Sequence, residues 1–420
     1  MASAPSPLEN GSDIQVIDGS VLEGGGQILR NTISLAGLLR KSIRIENIRH
    51  GRTKPGLKNQ HRTGLQLAAE ISHAKLTGAS NGSTVIEFEP DKDKGIDLPG
   101  SWEADTVTAG STTLLMQIAL PLLLFRSSSQ SGNGSSVLRL LGGTNAEQAP
   151  QIDYTRHIFI PFFRTHFLPL SSAPSSPSVE LEIKKRGYFP KGGGELEVRV
   201  QPLEPGQKLR SVELVHAPRG RLVRVGGIAH YAGLPRVVGE GMRDAAVKMV
   251  RDNVRKGIWC PPGTRARIAP LSATISDGEE EEQEVLVDIM VRREPNQLTR
   301  GAGSGIVVWA EFENGAVLGG SAVGKKGFEP ADVGRATVEE LGKAIESGGC
   351  VDEWMQDQMI IFMALAEGRS EVRCGTEELS LHTKTAIWVA EQLTDTKFEV
   401  GQDESGHWII RCDGVGFTMK

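Results

Sequence analysis

Runs of alternating apolar and polar residues recur along the chain, and amphipathic segments with a helical period lie between them. These runs form three series: SIRIENIR, TGLQLAAEISHAKLTG and STVIEFEP; then SSVLRLLGG, YTRHIFIPFFRTHF, SVELEIKKRG and GELEVRVQPL; then SEVRCG, HTKTAIWVAEQL, KFEVGQ and HWIIRCDG. Each series predicts a strand, a helix and one or two further strands. We therefore predict an α+β fold, in which repeated strand-helix-strand-strand units form small sheets that are covered by helices and share one core.

The pattern changes between residues 209 and 349. Strand-like runs here alternate with two long amphipathic helices, one of which has Pro235 in a plausible first turn. We predict that this segment is an inserted, smaller α/β domain. Residues 1–208 and 350–420 would then form the main domain of repeated units.

An acidic stretch, DGEEEEQE at residues 277–284, separates two strand-like runs of the predicted insert. Its carboxylates have no spacing typical of metal ligands on one face. We interpret it as the solvated tip of a β-hairpin.

Composition is typical of a folded protein without a membrane span. The 420 residues are 39% hydrophobic, and the longest apolar run, LLMQIALPLLLF, is too short for a span and is interrupted by Pro121. The first residues carry neither a basic start nor an apolar core of a secretory signal. Four scattered cysteines form no CxxC pair. We therefore expect an intracellular protein with reduced cysteines.

Charge is unevenly distributed. The formal net charge of −5 argues against general affinity for nucleic acids, but residues 49–62, RHGRTKPGLKNQHR, concentrate arginines, lysines and histidines in a loop that leads into a helix. Such a loop is typical either of a solvated surface or of a site that binds phosphates through cations and a helix N-terminus. The residues alone leave both interpretations open.

Glycine runs mark two further candidate sites. Residues 24–26 precede a helix between Glu23 and Arg30, and residues 192–194 follow an aromatic pair in KKRGYFPKGGGELEV. Either run could be only a tight turn, or could bring the backbone close to a ligand. A third stretch, GGSAVGKK, lacks the Ser or Thr of a phosphate-binding loop and is rejected.

A lone histidine, His382, stands where a strand-like run gives way to the amphipathic helix in LSLHTKTAIWVAEQL. A histidine at a helix start often only satisfies a hydrogen bond. It can also be a nucleophile, because the positive end of the helix dipole disfavours the imidazolium and keeps a lone pair available.

The motifs taken together resemble the RNA 3'-terminal phosphate cyclases, in the same order and across nearly the whole chain. They are EGGGQILR, RTKPGLKNQH, AGSTTLLMQ, GGTNAEQAP, KRGYFPKGGGE, DEWMQDQ and SLHTKTA. The resemblance implies a catalytic domain of repeated units with an inserted α/β domain, which agrees with the hydrophobic pattern. The insert is longer here than in the bacterial members of the family.

The resemblance also implies an activity. A histidine of the family attacks the α-phosphorus of ATP, and the resulting histidyl-AMP passes its AMP to an RNA 3'-phosphate, which the neighbouring 2'-hydroxyl closes to a 2',3'-cyclic phosphate. His382 occupies the position of that histidine. The expected cofactors are ATP and a divalent cation, Mg²⁺ or Mn²⁺. The expected partners are RNA 3'-phosphate ends, and no interaction with a membrane is expected.

Further site residues follow from the resemblance one position at a time. Those expected to hold the adenylate are Glu23, Gln117, Pro150, Trp354, Asp357 and Gln358, with Glu23 also near the metal. Those expected to bind the triphosphate or the RNA end are Arg30, Arg49, Arg52, Gln60 and His61. Trp354 stands where the family has a tyrosine, so an aromatic surface is kept and a hydroxyl is lost.

An alternative from another class is a non-catalytic, cyclase-like RNA-binding protein of ribosome assembly, and a second is a plain RNA-end binding module. The presence of His382, Asp357 and Gln358 favours the enzyme. The resemblance implies a nuclear location, in the nucleoplasm, with the cytoplasm as the alternative. The sequence indicates no oligomeric state.

Overall fold

The computed structural model describes residues 14–125, 134–170, 176–215, 219–260, 265–269 and 282–419. Strands within these residues form four sheets, of which three have four strands and one has five. No helix in these ranges combines the length and the apolar character needed to cross a membrane.

The first four-stranded sheet comes from the N-terminal part of the chain. Its elements are β1 (Gln15–Asp18), α1 (Gly26–Leu39), β2 (Ile43–Glu46), α2 (Asn59–Ile71), β3 (Ala74–Thr77) and β4 (Ile86–Pro90). The strand order is β1-β2-β4-β3, with β1 and β2 parallel and the other neighbours antiparallel.

The second sheet repeats this arrangement. Its elements are β5 (Ser101–Asp105), α3 (Thr112–Leu124), β6 (Ser136–Gly142), α4 (Ile152–Tyr154), a π-helical turn (Thr155–Phe159), α5 (Ile160–His166), β7 (Ser178–Lys185) and β8 (Gly194–Gln201). The order is β5-β6-β8-β7, and again only the first pair is parallel.

The five-stranded sheet follows the short strand β9 (Glu213–Leu214). Its elements are β10 (Leu222–Ala232), α6 (Arg236–Arg255), β11 (Arg265–Ala269), β12 (Glu282–Arg293), a 3₁₀ turn (Asn296–Leu298), β13 (Gly303–Phe312), β14 (Val317–Val323) and α7 (Pro330–Glu346). The order is β11-β12-β10-β13-β14. Pro235 is the N-cap of α6 and lies just before its first turn.

The third four-stranded sheet combines β9 with the C-terminal part of the chain. The remaining elements are α8 (Glu353–Leu365), β15 (Glu367–Gly375), α9 (Leu381–Leu393), β16 (Phe398–Gln402) and β17 (Trp408–Val415). The order β9-β15-β17-β16 matches that of the first two sheets, with β9 and β15 parallel.

The predicted α+β fold with repeated units is confirmed, but the unit is larger than predicted. Each unit is strand-helix-strand-helix-strand-strand, so an initial strand and helix precede the four predicted elements. The helix α8 was not predicted because it is buried nearly all round, with Gln356 and Gln358 among its buried residues, and its apolar residues show no 3.6-residue period.

The five-stranded sheet enters the third unit between its first strand and its first helix. Because β9 pairs with β15, and Arg210 forms a bridge with Glu367, residues 209–214 belong to the main domain's third sheet. We therefore propose that the inserted domain begins near Leu222, later than the expected residue 209.

The predicted acidic hairpin is wrong. Strands β11 and β12 pair in the parallel direction, with Ala269 opposite Leu286, and a hairpin joins only antiparallel strands. Residues 277–281 of the acidic stretch lie outside the described residues, and the following Glu282 already begins β12.

The five-stranded sheet is covered on both faces. Helices α6 and α7 pack on one face, where Met242 and Leu341 join a core with Val308. On the other face Trp309 belongs to the main domain's core and stacks on the imidazole of His157, with ring centroids 4.7 Å apart. The insert is therefore docked against the main domain.

A buried ion cluster lies at this junction. Arg186, at the end of β7, donates two hydrogen bonds of 2.6 and 2.8 Å to the carboxylate of Asp153 in α4, and one of 2.6 Å to Glu294 after β12. The Arg186 side chain is 0% exposed. Two acceptors from different domains thus satisfy one buried guanidinium, which ties the insert to the main domain.

We predict that Arg186→Met lowers the free energy of unfolding by about 3–5 kcal/mol, because the buried Asp153 would lose its guanidinium partner and Glu294 would keep only Arg292. Chemical denaturation measures the change. The matched control is Arg199→Met on β8, an exposed arginine paired with Glu197, which should change stability by less than about 1 kcal/mol. Equal effects of the two substitutions would contradict the assignment.

Candidate active site

A cavity of about 730 Å³ lies where the N-terminal ends of α1, α2, α8 and α9 meet. Helix N-termini expose backbone N–H groups and the positive end of the helix dipole. The convergence of several such ends on one cavity favours an anionic ligand.

Most of the expected site residues line this cavity. They are Glu23, Arg30, Arg49, Arg52, Gln60, His61, Gln117, Pro150, Trp354, Asp357 and His382. Gln358 is buried behind the wall, where its side-chain oxygen accepts a hydrogen bond of 3.0 Å from Gln117. Gln358 is thus placed to orient Gln117.

His382 is the second residue of α9. Ser380 caps this helix, because its hydroxyl accepts a hydrogen bond of 3.2 Å from the N–H of Thr383. The imidazole faces the cavity. Its pKa lies below the usual value because of partial desolvation and the nearby Arg30, while Glu23 opposes the shift. The ring is therefore mainly neutral at pH 7 and keeps a lone pair.

Glu23 begins the glycine turn before α1. Its N–H donates a 3.1 Å hydrogen bond to the Thr385 hydroxyl, which links the turn to α9. Its carboxylate forms a salt bridge with Arg52, while Oε2 is buried without a partner among the described residues. A Cβ on Gly25 would lie 2.1 Å from the Glu23 carboxylate, so a larger residue here would displace that side chain from its present position.

The basic loop contains arginines of two kinds. Arg49 is buried and has a left-handed φ of 56°, and its Nη1 donates hydrogen bonds of 2.8 Å to the carbonyls of Lys54 and Gly56. It holds the loop in shape. The side chain of Arg52 is 47% exposed and sits in the cavity wall, so it is the more accessible cation for a ligand.

His61 is a neutral donor at the start of α2. Its Nδ1 accepts a hydrogen bond of 3.2 Å from the N–H of Lys58. Burial, with Arg30 and further cations nearby, lowers the pKa of His61 to about 3. The proton of the neutral ring must then be on Nε2, which leaves no lone pair for nucleophilic attack.

Asp357 and Arg30 are half-buried residues of opposite charge in the cavity wall, and each has a buried polar atom that is not satisfied. Burial raises the pKa of Asp357 to about 7, although Arg30 opposes the shift. Neither Asp357 Oδ1 nor Arg30 Nε has a hydrogen-bond partner within the described part of the chain. Buried polar atoms of this kind are usually satisfied in a complete site, so both are available to a ligand.

Trp354 connects the cavity to the inserted domain. Its Nε1 donates a 2.7 Å hydrogen bond to Glu340 of α7, and Glu340 also accepts one of 2.9 Å from the N–H of Ser321. Nearby, Lys325 of the insert and Glu147 of the main domain form a salt bridge of 2.7 Å. The insert thus contributes Glu340 to the wall of the cavity.

Sequence reasoning missed Glu340 entirely. It lies in a helix whose pattern indicated only an amphipathic surface, and nothing local marks its contact with Trp354. The hydroxyl that tyrosine would bring is replaced here by an indole N–H that has a defined acceptor.

The family model that describes RNA 3'-terminal phosphate cyclase matches residues 21–400 of the chain. This match covers the second unit, the insert and the residues around the cavity, and it covers the first and third units except for β1, the end of β16 and β17.

Full-length relatives agree with the family match. A protein of Dictyostelium discoideum named probable RNA 3'-terminal phosphate cyclase is 35% identical over 99% of this chain and 86% of its own length. Proteins of Drosophila melanogaster and Pyrobaculum neutrophilum, both named RNA 3'-terminal phosphate cyclase, are each 36% identical over 96% of this chain, and over 97% and 99% of their own lengths. The chain therefore belongs to the RNA 3'-terminal phosphate cyclase family.

The contact between Trp354 and Glu340 predicts an energetic coupling between the domains. A double-mutant cycle of Trp354→Phe and Glu340→Ala should give a coupling free energy of about 1–2 kcal/mol in urea unfolding. Each single substitution removes the charge-assisted hydrogen bond, so the second substitution has no further hydrogen bond to remove and the double variant loses less stability than the sum of the two single variants. The control cycle replaces Glu340→Ala with Glu339→Ala, an exposed neighbour on the same helix. Coupling near zero in the first cycle would show that the contact has no energetic role.

Proposed function

We propose that this protein converts an RNA 3'-terminal phosphate to a 2',3'-cyclic phosphodiester at the expense of ATP, through a covalent histidyl-AMP. The observation that carries the proposal is the neutral, accessible imidazole of His382 at a helix N-terminus, in a cavity that also contains Arg30, Arg52 and Lys58. A nucleophile with a lone pair beside cations suits attack on a nucleotide phosphate.

The proposed reaction has three transfers. The imidazole nitrogen of His382 bonds to the α-phosphorus of ATP as the bond to pyrophosphate breaks. An oxygen of the RNA 3'-phosphate then bonds to that phosphorus, and the bond to His382 breaks. Finally the neighbouring 2'-hydroxyl attacks the 3'-phosphorus, loses its proton, and releases AMP.

Residues at one end of the cavity suit the phosphates. Arg52, Lys54 and Lys58 are cations from the basic loop, and Gln60 and His61 offer neutral donors. The first turns of α2 and α9 add backbone N–H groups. This end would stabilise negative charge on the phosphates during each transfer.

Residues at the other end suit the adenosine. Trp354 offers an aromatic face, and Pro150 lines the same cavity with its carbonyl fixed by a 2.9 Å hydrogen bond from Thr113. Asp357 and Gln117 add polar groups for the base and sugar. The neutral form of Asp357, which its raised pKa favours, could donate as well as accept a hydrogen bond.

Glu23 fits a divalent cation only as part of a shared site. Among the described residues, no group of three or more His, Cys, Asp or Glu side chains is placed to hold a metal. Mg²⁺ bound to nucleotides commonly takes one or two carboxylates and completes its shell with phosphate oxygens and water. The buried Oε2 of Glu23 fits that role, and Mg²⁺ or Mn²⁺ there would neutralise phosphate charge.

The non-catalytic alternative is less well supported. An RNA-binding protein of ribosome assembly would need neither a neutral histidine at the cavity nor the half-satisfied Asp357, and the relatives described above are named as cyclases. RNA 3'-phosphate ends are the partners we propose, and the nucleus, with the cytoplasm as the alternative, is the location we propose.

We predict that His382→Ala abolishes covalent labelling by ATP carrying a labelled α-phosphate, with a loss of at least about 100-fold, because His61 is the other imidazole among the described residues that line the cavity, and its lone pair accepts a hydrogen bond from Lys58. The same variant should still close an RNA whose 3'-phosphate is chemically pre-adenylylated, since that step needs only the 2'-hydroxyl and a positioned AMP.

The controls are two other histidines near the same loop. His50→Ala, at an exposed position, should label normally, and His61→Gln should keep a donor and label at a reduced rate. A folded His382→Ala protein that labels like the wild type would refute the nucleophile assignment. Loss of labelling in His61→Gln alone would transfer the role to His61.

A pH profile of single-turnover labelling tests the protonation state. Because the pKa of His382 lies below its usual 6.5, the rate should be independent of pH above about 7 and should fall only at lower pH, as the ring gains a proton. Glu23→Gln removes the charge that raises this pKa, so the inflection should move to lower pH whatever happens to the maximal rate. An inflection above pH 7, or a shift in the opposite direction, would contradict the assignment.

A further inference from the structure

The turn between β7 and β8 presents an aromatic side chain to solvent. Phe189 is 75% exposed, and Pro190 and Lys191 beside it are exposed as well, although Arg186 and Tyr188 just before them are buried. A large apolar side chain with this exposure is a feature of binding surfaces.

Two cations lie at this turn. A Cβ on Gly193 would lie 2.3 Å from Cδ of Arg300, and one on Gly301 would lie 3.0 Å from Cδ of Lys191. The glycines therefore let the stems of Arg300, from the insert, and Lys191, from the main domain, cross closely. Neither cation forms an ion pair with the residues that the structure describes. Adjacent like charges without a counter-ion favour an anionic partner.

The turn is continuous with the cavity. A Cβ on Gly192 would lie 2.6 Å from the carbonyl oxygen of Thr108, so the turn packs on the loop before α3. At the other end of that loop, the N–H of Ser111 donates a 3.3 Å hydrogen bond to Gln60, which lines the cavity. The loop from Thr108 to Ser111 therefore links the turn to the cavity wall.

The connecting loop carries a second exposed apolar side chain. Val107 is 74% exposed and has a left-handed φ of 60°, which a β-branched residue rarely adopts. Its N–H donates a 2.7 Å hydrogen bond to Asp105, which helps hold this conformation. Strain kept at an exposed position is typical of functional surfaces.

We propose that Val107, Phe189, Lys191 and Arg300, here called the tip surface, bind the single-stranded RNA just upstream of its 3'-terminal phosphate. Phe189 stacks on a base, Lys191 and Arg300 contact backbone phosphates, and Val107 supports the strand between them and Gln60. Aromatic faces flanked by cations are the usual means of holding single strands. This proposal rests on the proposed function.

The test compares two RNAs that end in a 3'-phosphate: a dinucleotide, which fills only the cavity, and a 12-mer, which also reaches the tip surface. Phe189→Ala should weaken use of the 12-mer by about tenfold, since stacking of one base contributes to that extent, and should leave the dinucleotide unchanged. Phe189→Trp should restore use of the 12-mer. Lys191→Ala and Arg300→Ala should each flatten the salt dependence of 12-mer binding by about 0.7 in log–log slope.

Matched controls are Leu170→Ala, an apolar residue that is 82% exposed elsewhere, and Arg251→Ala on the exposed side of α6. Labelling by ATP without RNA should be normal in every variant, which shows that the cavity is intact. If Phe189→Ala lowers the stability of the protein, the comparison of the 12-mer with the dinucleotide is made with Phe189→Trp and Arg300→Ala instead.

Three results would overturn the tip surface: equal losses for the dinucleotide and the 12-mer, no loss for either RNA, or losses no larger than those of the controls. Failure of the proposed function is distinct, because it would appear as absent ATP labelling in the unchanged protein. If ATP labelling is absent but the 12-mer still binds the tip surface, the proposed cyclase activity is refuted and the RNA contact at the tip surface is retained.

Discussion

The buried guanidinium of Arg186 is the constraint on which the arrangement of the two domains depends. A charge at 0% exposure is tolerable only when its partners are in place, and those partners, Asp153 and Glu294, come from different domains. The same junction contains His230 of the insert, which lies 3.2 Å from the side-chain amide of Asn145. Asn145 belongs to the segment that ends at Pro150, so the ion cluster also fixes the loop that forms part of the cavity wall.

Repetition of one unit explains where the cavity lies. In each of the three sheets the first two strands are parallel, so a helix must cross between them, and in the first and third units that helix, α1 or α8, begins at the cavity. Packing of α1 against α2 and α9, and of α8 against α9, brings the N-terminal ends of α2 and α9 to the same space. The electrostatic preference for phosphate follows from the backbone arrangement, before any side chain contributes.

Sequence patterns predicted the strands and helices in which apolar and polar residues alternate with the period of that element. The strands with alternating residues and the helices α6 and α7 follow this rule. The strand β9, with two residues, and the helix α8, buried nearly all round, carry no such pattern. The acidic stretch was misassigned because strand direction depends on partners distant in the chain, here β10 and β12. The motifs predicted that His382 and most of the residues lining the cavity belong to one site. Glu340 reaches the cavity only through tertiary packing, so no motif indicated it. The role of Arg49 in holding the basic loop depends on backbone geometry, which the sequence does not show.

The interruption of the third unit has a consequence for biosynthesis. Strand β9 leaves the ribosome before the insert, yet its partner β15 begins only at Glu367, after the whole insert. Closing so long a loop carries an entropic cost that is smaller if the insert has already folded into a compact body whose ends lie close together. The unit that carries His382 is therefore completed last during synthesis. Nascent chains that stop before α9 would contain most of the cavity wall but not the histidine, so the complete cavity forms only when translation is nearly finished.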